Sequence, residues 1–138
     1  MNVNQVIQNF GRKEETAMEQ SILKSVKLQN DIPEDETTFD DELIGLINMS
    51  LATLNQMGPG QQVYLEDDKM VWDDFFTNVD SKLVRALCRQ YVAMDVKSKF
   101  DTPVTSKAGD NVTNALKELQ FRIYTAADMD YANSLQQD

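Results

Sequence analysis

The chain has 138 residues, a formal charge of -10 and no histidine. That length suits one domain with a single modest core, and 41% hydrophobic with 26% charged residues excludes general disorder. The acidic balance argues against affinity for free nucleic acid, which needs clustered Lys and Arg, and the missing histidine removes the commonest general base and transition-metal ligand.

Residues 1–17 are polar, with Val3, Val6, Ile7 and Phe10 spaced i, i+3, i+4, i+7 ahead of Gly11. They are expected to form an N-terminal arm. A helix is predicted from Met18 to Gln29, with Met18, Ile22, Leu23 and Val26 inward, followed by a polar connector broken at Pro33. The acids from Asp31 to Glu42 resemble a calcium loop only superficially. Pro33 occupies the third ligand position, and Glu36 stands where the sharp turn needs glycine.

The next helix is predicted to begin at Asp40, with Asp40 as cap and Phe39 and Ile44 as a hydrophobic staple. Asp41 and Glu42 suit its positive end. Leu43, Leu46, Ile47, Leu51, Leu54 and Met57 share one broad face, and the Gly58-Pro59-Gly60 sequence ends it. From Gln62 to Trp72, two apolar runs flank Glu-Asp-Asp-Lys, a pattern that predicts a small β-hairpin. A third helix is expected from Asp80 to Lys99. Its stripe of Leu83, Val84, Leu87, Cys88, Tyr91, Val92 and Met94 is wide enough for a central position.

Phe100-Asp101-Thr102-Pro103 stops that helix, and a fourth is predicted from Asn111 to Tyr124. Leu87 and Leu116 stand at the centres of their stripes and are expected to cost about 2–5 kcal/mol on truncation. The organisation is therefore an arm over 1–17, a helical domain over 18–125 and a polar C-terminal tail over 126–138. The fold class is mainly α: a compact bundle of about four helices with the small hairpin.

Chemical motifs are scarce. The pairs Asp40–Asp41, Asp67–Asp68 and Asp73–Asp74 are adjacent residues in turns, whereas acid/base work on a glycoside needs carboxylates on opposite walls of a cleft. Cys88 lies in an apolar stripe with no basic cluster to stabilise a thiolate, so it reads as a core thiol. No catalytic, cofactor or metal residues are assigned. No apolar run reaches the length of a membrane span and the N-terminus carries no signal pattern, so a soluble protein made in a cytoplasm is expected.

One feature of the fourth helix stands out. With about 100° per residue, Ala115, Leu116, Leu119 and Ile123 cluster within about 60° of Val112. Phe121 falls about 180° away and Tyr124 about 120° away. An aromatic on the back of an apolar stripe points to burial on two sides or to contact with another molecule.

The ordered pieces DDELIGLINMSLATLNQMGPG, VWDDF, a Tyr-Val helix ending in KFDTP, and ALKELQFRI resemble the head-tail connector proteins of long-tailed bacteriophages, also called adaptor or head-completion proteins. The resemblance runs from Ile22 to Ile123. FDTP is similar to the family's helix-ending Phe-Asp-Pro-Pro, with Thr102 in place of the first proline, and Phe121 stands where relatives often carry tryptophan. The resemblance implies a helical subunit forming a dodecameric ring beneath the portal in the virion neck, assembled in the host cytoplasm. Such a ring extends the DNA channel without sequence-specific DNA binding and docks a stopper or tail-completion protein. Candidate subunit or portal contacts are Phe121, Tyr124, Phe100, Tyr131 and Leu135.

Two readings of other classes compete. A monomeric acidic helical adaptor or regulator would capture a basic protein partner without self-assembly. A small hydrolase would depend on Asp67, Asp68, Asp73 or Asp74 and a metal.

Overall fold

The computed structural model describes residues 20–136. Among them the chain forms five helices: α1 (Ile22–Gln29), α2 (Asp40–Met57), the single-turn α3 (Trp72–Phe75), α4 (Lys82–Phe100) and α5 (Ser106–Leu135). The expected arm over 1–17, and Met18, lie outside the described residues. The mainly α class is observed.

α4 is the central helix, packed against α1, α2 and α5. Val84, Cys88, Tyr91, Val92 and Val96 face the core from it. α2 contributes Leu43, Ile47, Leu51 and Leu54, and α1 contributes Ile22, Leu23 and Val26. Trp72, Phe75 and Phe76 close the core as an aromatic plug, with Trp72 stacked on Phe76 at 5.6 Å and Phe75 edge-on to Phe76 at 5.1 Å.

Helix boundaries follow local chemistry. The Ser21 hydroxyl accepts from the Lys24 amide, Ser81 from Val84 and Thr105 from Ala108, so each side chain satisfies an orphan donor of a first turn. α4 stops at Asp101, whose amide donates to the Lys97 carbonyl at 2.8 Å. Pro103 then disfavours helical backbone at Thr102. The loop 101–105 reverses the chain, and the Gln120 amide donating to the Tyr91 hydroxyl at 3.0 Å sets the antiparallel register of α4 and α5.

Four expectations change. The hairpin is not formed. Its two apolar runs pair elsewhere: Asn48 of α2 clamps Leu65, donating to its carbonyl at 3.0 Å and accepting from its amide at 2.7 Å. The second run pairs with the chain ahead of α1, where Ile22 donates to the Met70 carbonyl and Trp72 to the Gln20 carbonyl. Backbone groups need partners, and here a side-chain amide and another segment supply them.

Asp40 does not cap α2. Phe39 is the cap residue and makes no side-chain cap bond, while Asp40 opens the first turn and accepts from the buried Lys27 ammonium at 2.9 Å. The fourth predicted helix is longer at both ends, starting at Ser106 because Thr105 caps it and continuing past Tyr124 to Leu135. Gly109 is tolerated inside it at a cost of about 1 kcal/mol relative to alanine.

Finally, Leu87 and Leu116 lie at the margin of the core, half-buried, whereas Ile123 is fully buried. Ile123→Ala is therefore expected to cost about 3 kcal/mol and Leu116→Ala about half as much, because exposed methyl groups lose little on removal. Urea midpoints of the two variants check this; equal shifts would put Leu116 as deep as Ile123.

Candidate interaction surface

α5 has 30 residues, yet only Leu119 and Ile123 are buried among them. Register with α4 leaves its last six or so residues, about 9 Å of helix, running beyond the start of α4. From 128 to 136 every residue is exposed. A surface helix normally buries a continuous apolar stripe, so this end is held by helix propensity and little tertiary packing.

What the bare side presents is apolar and aromatic. Phe121 is 70% exposed, Tyr124 60%, Tyr131 64% and Leu135 66%. At about 100° per residue these four fall within an arc of about 80° and span about 21 Å along the axis. The extension of α5 past Tyr124 is what aligns them. Phe100 is not part of this face. It sits half-buried at the other end of α4, edge-on to Phe39 at 5.4 Å.

Two grooves border the face. One, of about 400 Å³, lies between α4 and α5 and is lined by Leu83, Leu87, Phe121, Ala126 and Met129. Leu83 and Met129 are exposed members that the sequence reading did not place there. The signal was in the helix geometry: Leu83 lies about 140° from Cys88, off the buried stripe. The other groove, of about 420 Å³, runs between the end of α5 and the turn after α2, with Tyr124 and Tyr131 on its α5 side.

The carboxylate pairs have structural partners. Asp74 accepts from the Val71 amide at 3.0 Å, Asp67 from the Lys69 amide at 2.9 Å, and Asp68 lies 3.8 Å from the Lys24 ammonium. Among the described residues, no three His, Cys, Asp or Glu side chains are grouped to hold a metal ion. Burial pushes the Cys88 thiol up to about 12, which keeps it protonated and unreactive at neutral pH. Burial, and then the nearby Asp95 charge, also raise Tyr91, while its bond from Gln120 opposes the shift. None of the described helices is long and apolar enough to cross a membrane.

A helical subunit with exposed aromatic side chains along one helix face carries a surface suited to contact with another protein. Residues 22–130 match the family of phage connector proteins, and the chain belongs to that family. It is thus a bacteriophage head-tail connector, a structural component of the virion neck that works against other head and tail proteins. No curated protein and no solved structure matches it.

Proposed function

We propose that the subunit closes into a ring, dodecameric as the family resemblance implies, beneath the portal, extends the DNA channel and docks a stopper or tail-completion protein. The observation that carries this reading is the exposed row of Phe121, Tyr124, Tyr131 and Leu135 on α5. Asp128 falls on the same arc between Tyr124 and Tyr131, but large apolar side chains on both sides of it are costly to leave in water and are a mark of an interface. A ring needs two different surfaces that meet with a closing rotation, and the α5 face is one of them. The net charge of -10 is compatible with a channel wall that repels phosphate and lets DNA slide. Phe100, half-buried and edge-on to Phe39, serves instead to fix the direction of the loop 101–105, and that loop reaches a neighbour in the ring. Assembly takes place in the host cytoplasm.

Phe121→Ala is expected to leave the unfolding midpoint unchanged, because the ring touches little of its own subunit. Assembly with the portal should weaken by about 30-fold, the loss of roughly 2 kcal/mol for an aromatic anchor. Phe121→Trp should be tolerated. Sedimentation of the purified chain alone and with portal, and electron-microscopy class averages of the mixture, read this directly. A chain that stays monomeric beside its portal would favour the acidic single-copy adaptor. A Phe121→Ala subunit that unfolds, yet assembles normally when folded, would place the ring inside the domain.

A further inference from the structure

The groove between the last turns of α5 and the turn after α2 has a definite chemical character. Val79 contributes to its apolar floor, Tyr124 and Tyr131 stand on its α5 side, and Asp80, Asp128 and Asp130 line its rim. No lysine or arginine lines it among the described residues. We propose that this groove docks an extended, arginine-bearing segment of another protein of the phage neck.

Charge sets the sign of the partner. Three carboxylates around one opening favour a cation, and the same charges repel the phosphates of DNA. The tyrosines narrow the choice. A guanidinium stacks on an aromatic face while its fork donates to carboxylates, which a compact, strongly hydrated ammonium does less well. An arginine also carries an aliphatic stem, and an apolar floor covers that stem while the charged head stays at the rim. Size sets the form of the segment. At about 420 Å³ the groove lies near the small end of ligand pockets, enough for a few side chains and too small for a helix. Tyr124 and Tyr131 also belong to the α5 face, so a ring neighbour seated there would compete with the segment; peptide binding to the unassembled chain tests the groove separately from ring closure.

The test uses the full chain and a fluorescein-labelled Gly-Arg-Leu-Arg-Gly amide, with binding read as fluorescence anisotropy. Saturable binding is expected, and the matched peptide with glutamine for both arginines should not bind. Asp128→Asn with Asp130→Asn should weaken binding by about fivefold or more. Asp35→Asn with Glu66→Gln, which removes the same charge from exposed sites elsewhere, should leave it nearly unchanged. Tyr131→Ala should weaken it, and Tyr64→Ala, which removes an exposed tyrosine outside the groove, should not. Equal losses in the two charge-matched variants would reduce the effect to the bulk acidity of the chain and overturn the proposal. So would an arginine peptide that binds no better than its glutamine counterpart. Tighter peptide binding by an Arg12→Gln, Lys13→Gln variant would make this chain's own basic pair the occupant and likewise overturn it.

Discussion

Replacing Gly60 with alanine is expected to destabilise the subunit by about 4 kcal/mol, combining an overpacked core with a left-handed backbone site. Gly60 has φ +82°, a conformation that residues with a Cβ adopt at a cost. A Cβ built there runs into the ring of Phe75, which is fully buried and held edge-on by Phe76. The ring has little room to retreat. The turn is also tied down by polar contacts, because the Gly60 carbonyl accepts from Asn55 and Asn78, each at 3.0 Å, and Gln61 donates to the Phe75 carbonyl at 2.9 Å. Chemical denaturation of Gly60→Ala checks the magnitude. A Phe75→Leu background should recover part of the loss by removing the clash, so the double-mutant cycle should show coupling of about 1 kcal/mol or more. Additive effects would mean that backbone strain alone accounts for the cost.

The second large effect is expected at Lys27, where Lys27→Met should cost about 3 kcal/mol. The side chain is 2% exposed, and its ammonium donates to the carbonyls of Glu34 and Glu36 and to the Asp40 carboxylate. All three donors are used, so the buried charge is fully satisfied. The contacts gather the connector between α1 and α2 around one point and fix where α2 begins. Methionine keeps the apolar stem but leaves Asp40 without its cation. Since Asp40 retains some solvent contact, the loss should lie at the lower end for a broken buried pair. Lys27→Met with Asp40→Asn should recover part of it. Lys27→Arg should not restore wild-type stability, because a planar fork cannot meet three acceptors arranged around a single nitrogen. An unchanged midpoint for Lys27→Met would show that the stem alone holds the connector.

Both sites bear on function through position. Gly58 and Pro59, just ahead of Gly60, form one side of the groove beneath the end of α5, and Lys27 sets the start of the helix that carries that turn at its other end. Stability there is stability of the platform from which the aromatic face projects. Phe121 and Tyr131 themselves bury little in the subunit, so changes at them can alter assembly without altering folding.

Much of this was legible in residue order alone. Gly58-Pro59-Gly60 and Phe100-Asp101-Thr102-Pro103 end their helices where local backbone chemistry says they must. The 3.6-residue period marks α4 as central and separates Ile123 from Phe121, since the arc between two residues of a helix depends only on their spacing. Cys88 is buried as its apolar neighbours suggest. The rest depends on groups distant in sequence. Nothing in the spacing of Lys27 shows that Glu34, Glu36 and Asp40 converge on it, because that requires the connector to fold back. The runs on either side of Glu66-Asp67-Asp68-Lys69 carry a hairpin pattern, but Asn48 and the segment at Gln20–Ile22 take their backbone groups first. Beyond Ala126 the end of α5 carries only Met129, Tyr131 and Leu135 as large apolar residues among polar ones, too sparse a pattern to mark a helix continuing from Tyr124. Only the continued helix, aligning Tyr131 and Leu135 with Phe121 and Tyr124, turns scattered apolar residues into one surface.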